Sequence, residues 1–244
     1  TAFVTFPHSE EENSNSLSMV ADFRIIWGGE DAVKGILSLP QREHCETAIF
    51  GPKYSFAIAD EKSLNSDFSG SIQNLALDTF TFDQSACTSP HVLFLETKNE
   101  KFDSENLLRK IRKLFSEMSE RYPKRNFSPA LLSKVIEKRN EYFLNPDFNI
   151  QCPDELDWTI LINSNFELEE PVGSRTLFVK IINDIFEVPA LVTRKIQSVG
   201  ALINDRKKLL ELSNMLASKG VSRIVPFGQM NNYDNPWDGI VLMS

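Results

Sequence analysis

Apolar and polar positions along this chain alternate with two periods, and the switches between them mark its elements. Short apolar runs bounded by glycine, proline or acidic residues read as strands: Ala2–Phe6, Phe23–Trp27, Thr47–Phe50, Tyr54–Ala59, His91–Glu96, Trp158–Ile162, Arg175–Ile182, Ser198–Ile203 and Arg223–Phe227. Phe23–Trp27 reads as a fully buried strand. Between them lie helices at 16–20, 31–39 and 71–80. Asp103 or Ser104 caps a long helix whose positions Leu107, Leu108, Ile111, Leu114, Phe115 and Met118 recur at helical spacing, with Pro123 at its end. Ser128-Pro129 starts the next, with Leu131, Leu132, Val135 and Ile136 as its inner face. Pro189–Lys195 reads as a short helix. Asp205 caps the last one, with Leu209, Leu212, Met215 and Leu216 inward and Gly220 just past the end.

The β–α–β–α–β order over residues 2–59 implies a parallel sheet with right-handed crossovers, and the class is α/β. Residues 97–157 are the most charged and helical stretch and read as the outer layer of a second domain. No internal repeat and no low-complexity linker is visible.

Composition narrows the class without changing it. The 244 residues carry 26 positive and 34 negative side chains, a net charge of −8, with 41% hydrophobic residues. That is an ordinary globular balance, long enough to bury a core without disulfides. The acidic sign argues against a nucleic-acid surface. The purely apolar runs are far shorter than the roughly 20 residues of a membrane span. Residues 1–7 have no basic flank or long apolar stretch, so they do not read as a signal peptide. The chain opens without Met, directly into a strand-like run, as a piece of a longer protein would. Cys45, Cys87 and Cys152 are too widely and irregularly spaced for a disulfide framework or a zinc pattern, and the simplest home is a reducing cytoplasm.

Three segments carry candidate chemistry. In Phe82–Pro90, Cys87 lies among small polar residues between a helix and a strong strand, which leaves room for a substrate to approach sulfur. A buried, inert thiol is the plain alternative. In 25–31, a strand breaks at Gly28-Gly29 and feeds a helix, a turn that brings backbone N–H groups close to phosphate. The full dinucleotide fingerprint is absent, Glu30 and Asp31 oppose an anion, and a simple tight turn fits as well. The third segment, Ile49–Lys53, is by itself a turn around Gly51. His8, His44 and His91 are scattered. His91 enters a strand four residues after Cys87 and reads as structural. His44-Cys45 is too little for a metal site.

The order of the three segments is more specific than any one of them. Gly51 follows Gly29 by 51 − 29 = 22 residues, and Cys87 follows Gly51 by 87 − 51 = 36. That order resembles the aldehyde dehydrogenase superfamily. More narrowly, 27–32 (Trp-Gly-Gly-Glu-Asp-Ala), 50–56 (Phe-Gly-Pro-Lys-Tyr-Ser-Phe), 83–89 (Asp-Gln-Ser-Ala-Cys-Thr-Ser) and 219–225 (Lys-Gly-Val-Ser-Arg-Ile-Val) resemble the fatty acyl-CoA reductases of bacterial luminescence. The likeness covers nearly the whole chain and implies an aldehyde-dehydrogenase-like fold, with part of a dinucleotide-binding domain followed by an α/β catalytic domain. It divides the chain at 1–52 (cofactor domain, second half), 53–228 (thiolate domain) and 229–244 (a return segment). The first strands of the cofactor domain, and the superfamily's oxyanion-hole Asn, would lie upstream of Thr1.

The resemblance implies NADPH-dependent reduction of long-chain fatty acyl thioesters, acyl-CoA or acyl-protein, to aldehyde through an acyl-Cys87 intermediate. It places Gly28, Gly29 and Gly51 at the cofactor. Glu170 of Glu170-Pro171-Val172-Gly173 would hold the nicotinamide ribose, although a charged surface turn fits that stretch equally well. It further implies an acyl-protein synthetase partner and a homo-oligomer. Two departures bear on mechanism. Ile49 stands where aldehyde-oxidising members carry a general-base Glu, which suits a reductase that must keep its thioester from water. Trp237, before Asp238, replaces a His of the luminescence enzymes. NADH in place of NADPH, a short-chain CoA-acylating aldehyde dehydrogenase, and a non-catalytic interaction module remain alternatives at this point.

Overall fold

The computed structural model describes residues 2–7, 9–98, 103–125, 128–163, 165–233 and 237. They divide into two compact units, one running to Lys53 and one from Tyr54 onward. No helix among the described residues is long and apolar enough to cross a membrane.

The first unit holds α1 (Glu11–Val20), β1 (Phe23–Trp27), α2 (Glu30–Leu37) and β2 (Glu46–Phe50). β1 and β2 pair in parallel, from Phe23 opposite Glu46 to Trp27 opposite Phe50. Two expectations change here. Residues 2–6 form no strand, and Phe3 and Val4 are exposed. β1 is not buried throughout: Arg24 and Ile26 are covered, whereas Phe23, Ile25 and Trp27 are exposed. Arg24 can be buried because its guanidinium donates to Thr47 Oγ1 (3.1 Å), Ser18 Oγ (2.9 Å), the Ile36 carbonyl (3.3 Å) and Gln41, tying α1, β2 and α2 to β1.

In the second unit, β3 (Tyr54–Asp60), α3 (Glu61–Ser66), α4 (Phe68–Phe80), β4 (Pro90–Glu96), α5 (Ser104–Arg121), α6 (Pro129–Leu144), β5 (Asn149–Gln151), β6 (Thr159–Ile162), β7 (Thr176–Ile182), β8 (Ile196–Leu202), α7 (Arg206–Ser218) and β9 (Arg223–Val225) follow in order. The seven strands form one sheet in the order β5-β6-β7-β4-β3-β8-β9, parallel except for β5. The parallel sheet expected over residues 2–59 is therefore interrupted, because β3 opens a new sheet and does not join β1 and β2. Parallel neighbours need a crossover of about a dozen residues or more, and the three between Phe50 and Tyr54 cannot supply it.

The central strands are near-continuous apolar runs because both faces of the sheet are covered. On one face Ala57, Ala59, Leu93 and Leu95 pack with Ile72, Leu75 and Phe80 of α4 and with Leu108, Ile111 and Phe115 of α5. On the other, Phe56, Ile58, Val92 and Phe94 pack with Val135 and Tyr142 of α6 and with Leu212 and Leu216 of α7. Two of the caps read from sequence hold through their side chains: Asp103 accepts from the Asn106 amide, and Asp205 accepts from those of Lys207 and Lys208. The inner face of α6 is rotated from the expected one. Val135, Arg139 and Tyr142 are buried while Ile136 is 45% exposed, because Arg139 satisfies itself on Thr159 Oγ1 and the carbonyls of Pro153, Glu155 and Trp158. The helix expected at 189–195 is a 3₁₀ turn at Ile185–Leu191. Asp184 caps it on the Phe186 amide, and Pro189 inside it brings no N–H to continue the run.

Phe115 lies at the centre of the first core, edge-on to both Phe80 and Trp158. Phe115→Ala is expected to lower unfolding free energy by about 3–5 kcal/mol. Leu210→Ala, at a position 62% exposed on α7, should stay within about 0.5 kcal/mol of wild type. Urea denaturation midpoints check both.

Candidate active site

Cys87 sits where the strained end of α4 is turned back into β4. After Phe80 the chain makes one 3₁₀ turn, Thr81–Gln84, in which Phe82, Asp83 and Gln84 have φ of 54°, 51° and 61°. These are left-handed conformations that side chains resist. Two buried anchors hold them. Asp83 forms an ion pair with Arg175 at 2.5 Å and accepts from the Arg125 amide at 3.0 Å. Arg175 lies over the Phe80 ring, 4.4 Å from its centroid, and donates to the Tyr122 carbonyl at 2.8 Å. Gln84 donates to the carbonyls of Pro90 (2.7 Å) and Thr176 (2.8 Å) and accepts from the Thr176 amide (2.7 Å), lacing the starts of β4 and β7 together. Phe82, between α4 and these anchors, is left 70% exposed.

The turn that carries the cysteine is closed by the Ser89 amide donating to the Ala86 carbonyl at 3.0 Å. Its backbone is fixed from β3: Ser55 Oγ donates to the Cys87 carbonyl at 2.7 Å and accepts from the Ser198 amide of β8 at 3.1 Å. The Thr88 and Ser89 hydroxyls donate to Asn231 Oδ1, at 2.7 and 3.4 Å. The Cys87 side chain is half-buried, neither sealed in the core nor fully in solvent.

The remaining sequence candidates divide clearly. Gly29 is the N-cap of α2 and is exposed; a Cβ built on it meets nothing within 4 Å. Gly28 is closed, since a Cβ there falls 2.9 Å from that of Ala32. Gly51 lies in the connection between β2 and β3, and Ile49 is an exposed apolar residue of β2. In the acidic run 167–170 two glutamates have different surroundings. Glu169 pairs with the buried Lys180 at 2.7 Å, while Glu170 is exposed, its charge helping to raise the Tyr54 pKa behind the larger effect of burial. His91 is buried, and burial pushes its pKa down to about 4, so it is neutral at pH 7 and is a strand residue rather than a base. Burial raises the Cys152 thiol, which leaves it a poor nucleophile. Among the described residues no group of three His, Cys, Asp or Glu is arranged to hold a metal. Trp237 stacks on Tyr233 and lies beneath Arg223. His8, Pro236, Asp238 and Gly239 lie outside the described residues.

Sequence reasoning passed over Asp78, Asn231 and Arg175. For Asp78 the signal was an acidic residue on the inward face of a helix and for Arg175 a charged residue at the start of an apolar strand, whereas Asn231, in the segment after β9, carried no local signal. Asp78 is buried on α4, and its carboxylate accepts from the amides of Gly228 (2.6 Å) and Met230 (3.0 Å). Burial pushes its pKa up to about 6, against those N–H bonds and the charge of Arg223. The native state therefore holds this proton more tightly than the unfolded chain does. The stability it contributes is complete below about pH 4 and is lost as pH rises through about 6. Asp78→Asn resembles the protonated form, so its stability relative to wild type should climb between pH 4 and pH 8. Urea midpoints across that range read the difference, and a constant offset would remove Asp78 as the titrating group.

A family model described as acyl-CoA reductase (LuxC) matches residues 1–244. The chain is 27% identical over 234 residues to the long-chain acyl-protein thioester reductase of Aliivibrio fischeri, covering 93% of this chain and 45% of that protein. It is 26% identical over 231 residues to the enzyme of the same name from Vibrio harveyi, covering 93% and 46%. The chain thus spans a little under half the length of these relatives. Among solved structures, an NADP-dependent glyceraldehyde-3-phosphate dehydrogenase from Bacillus halodurans C-125, complexed with NADP, superposes with a TM-score of 0.67 at 13% identity, over 91% of this chain and 48% of that one. A salicylaldehyde dehydrogenase from Pseudomonas putida G7 gives 0.65 at 14%, over 94% and 49%. The fold is that of the aldehyde dehydrogenases, and the chain, matched along its whole length, belongs to the acyl-CoA reductase (LuxC) family.

Proposed function

We propose that this chain carries the thiolate-bearing part of a reductase that converts long-chain fatty acyl thioesters, acyl-CoA or acyl-protein, to fatty aldehydes through an acyl-cysteine at Cys87. The observation that carries the reading is the setting of that residue: a half-buried thiol on a turn whose backbone is pinned by Asp83, Gln84 and Ser55. A thiol packed only for bulk needs no such turn. Family membership and the names of the relatives point the same way.

The Cys87 thiolate attacks the acyl carbonyl carbon. A new C–S bond forms, the bond to the carrier sulfur breaks, and the carrier leaves as a thiol after taking a proton. Developing charge on the carbonyl oxygen calls for preorganised donors, and the Cys87 backbone N–H is the one we assign. Release of the aldehyde returns Cys87 as thiolate. Ile49, in place of a carboxylate, leaves no base at that position to activate water against the thioester.

The residues of the Gly28-Gly29 turn fit a dinucleotide phosphate in one respect: Gly29 opens α2 with its Cα face free of protein atoms, so a ligand can approach the backbone there. Glu30 and Asp31 in the first turn are both exposed. We assign Gly28, Gly29 and Gly51 to NADPH, and Glu170 keeps the ribose role that the resemblance gives it. When bound, NADPH supplies the hydride that reduces the acyl group.

Cys87→Ser should lose aldehyde formation from a long-chain acyl-CoA by a factor on the order of 10³ or more. Turnover of that variant at the wild-type rate would remove the nucleophile assignment. Gly29→Ala meets no protein atom, so its denaturation midpoint should match wild type. The added methyl should weaken NADPH binding by roughly tenfold in a fluorescence titration, and unchanged binding would exclude Gly29 from the cofactor contact.

A further inference from the structure

Pro226–Asn232, the segment after β9, reaches back across the sequence to the cysteine turn. Asn231 Oδ1 accepts from the hydroxyls of Thr88 (2.7 Å) and Ser89 (3.4 Å), and its Nδ2 donates to the Asp78 carbonyl at 2.8 Å. The amide has one workable orientation, because a flip would set its oxygen against the Asp78 carbonyl. The Asn231 backbone is held as firmly. Asp78 accepts from the amides of Gly228 and Met230, and Arg223 donates to the carbonyls of Met230 (2.7 Å), Gln229 (3.0 Å) and Asn232 (2.8 Å). Gly228 has φ of +84°, and a Cβ built there would fall 2.9 Å from Asn74, so the segment passes α4 as closely as glycine allows.

We propose that Asn231 is a positioning residue for the nucleophile, and that Asp78 and Arg223 are what hold it in place. The inference rests on Cys87 being the acyl acceptor. Thr88 and Ser89 are both buried and directly follow the cysteine, so any shift of their side chains moves the sulfur. Each hydroxyl proton is given to Asn231, so neither hydroxyl donates to the carbonyl oxygen of a substrate at Cys87. Their contribution is to fix the geometry of attack, which is lost steeply with displacements of about 1 Å.

The test compares Asn231→Ala, Thr88→Val and Thr88→Ser in the intact protein. One readout is the rate of acyl transfer from a long-chain acyl-CoA to Cys87. The other is alkylation of Cys87 by iodoacetamide, mapped by peptide mass spectrometry. Acyl transfer should fall by about 30–100-fold in Asn231→Ala and Thr88→Val with KM within about threefold, and Thr88→Ser should recover most of it. Alkylation, which needs a thiolate but no aligned carbonyl, should stay within about threefold. Acyl transfer unchanged in both disruptive variants, an equal fall in alkylation, or no recovery in Thr88→Ser overturns the assignment. Acylation of a Cys87→Ser variant at the wild-type rate is a separate result, and it overturns the proposed function instead.

Discussion

The left-handed backbone of Phe82, Asp83 and Gln84 is the constraint on which the cysteine turn stands. Such a conformation costs about 1–2 kcal/mol per residue, so a chain keeps three in succession only where buried contacts enforce them. Here the enforcement is the Asp83–Arg175 ion pair and the three hydrogen bonds of Gln84. Removing one partner of a buried ion pair costs about 3–5 kcal/mol, the same order as the strain it restrains. Small relaxations of the turn are therefore opposed on both sides, and the sulfur inherits that rigidity. Strain of this kind gathers where geometry serves function.

The sheet below divides its own length between two tasks. The middles of β3, β4 and β8 are apolar and packed on both faces, which gives the unit its stability. Close to their starts lie small, polar, buried residues: Ser55 on β3, Ser198 on β8, with Ser89 just ahead of β4. The Ser55 hydroxyl joins the backbone of the turn at the Cys87 carbonyl to that of β8 at the Ser198 amide, and the Ser89 hydroxyl donates to the Asn231 side chain. A hydrophobic side chain at Ser55 would leave the Cys87 carbonyl and the Ser198 amide without their partner, a buried loss that packing does not offset.

Much of this fold was legible because it is local. The apolar spacing of 107–118 and the caps Asp103 and Asp205 each sit within one or two helical turns of what they specify. Cys87 stood out because its neighbours are small and polar, and it is indeed on a loop. What local pattern could not carry lies at long range. The face of α6 turns on Arg139, whose partners lie at 153–159. Gln84 finds its partner at Thr176, and Thr88 finds its own at Asn231. Asp83 and Gln84 were visible as motif letters, but nothing in their sequence neighbourhood tells that they are buried anchors. The separation of β3 from β1 and β2 was available in principle, since three residues cannot make a parallel crossover.

The central claim is that one of the three cysteines, Cys87, accepts the fatty acyl group. Incubating the intact protein with a radiolabelled long-chain acyl-CoA in the absence of NADPH, then digesting and sequencing the labelled peptide, tests it most directly. The label is expected on the peptide containing Cys87, and it should leave on addition of NADPH as aldehyde appears. Label on Cys45 or Cys152, or no covalent label while aldehyde is still formed on adding NADPH, would contradict the account.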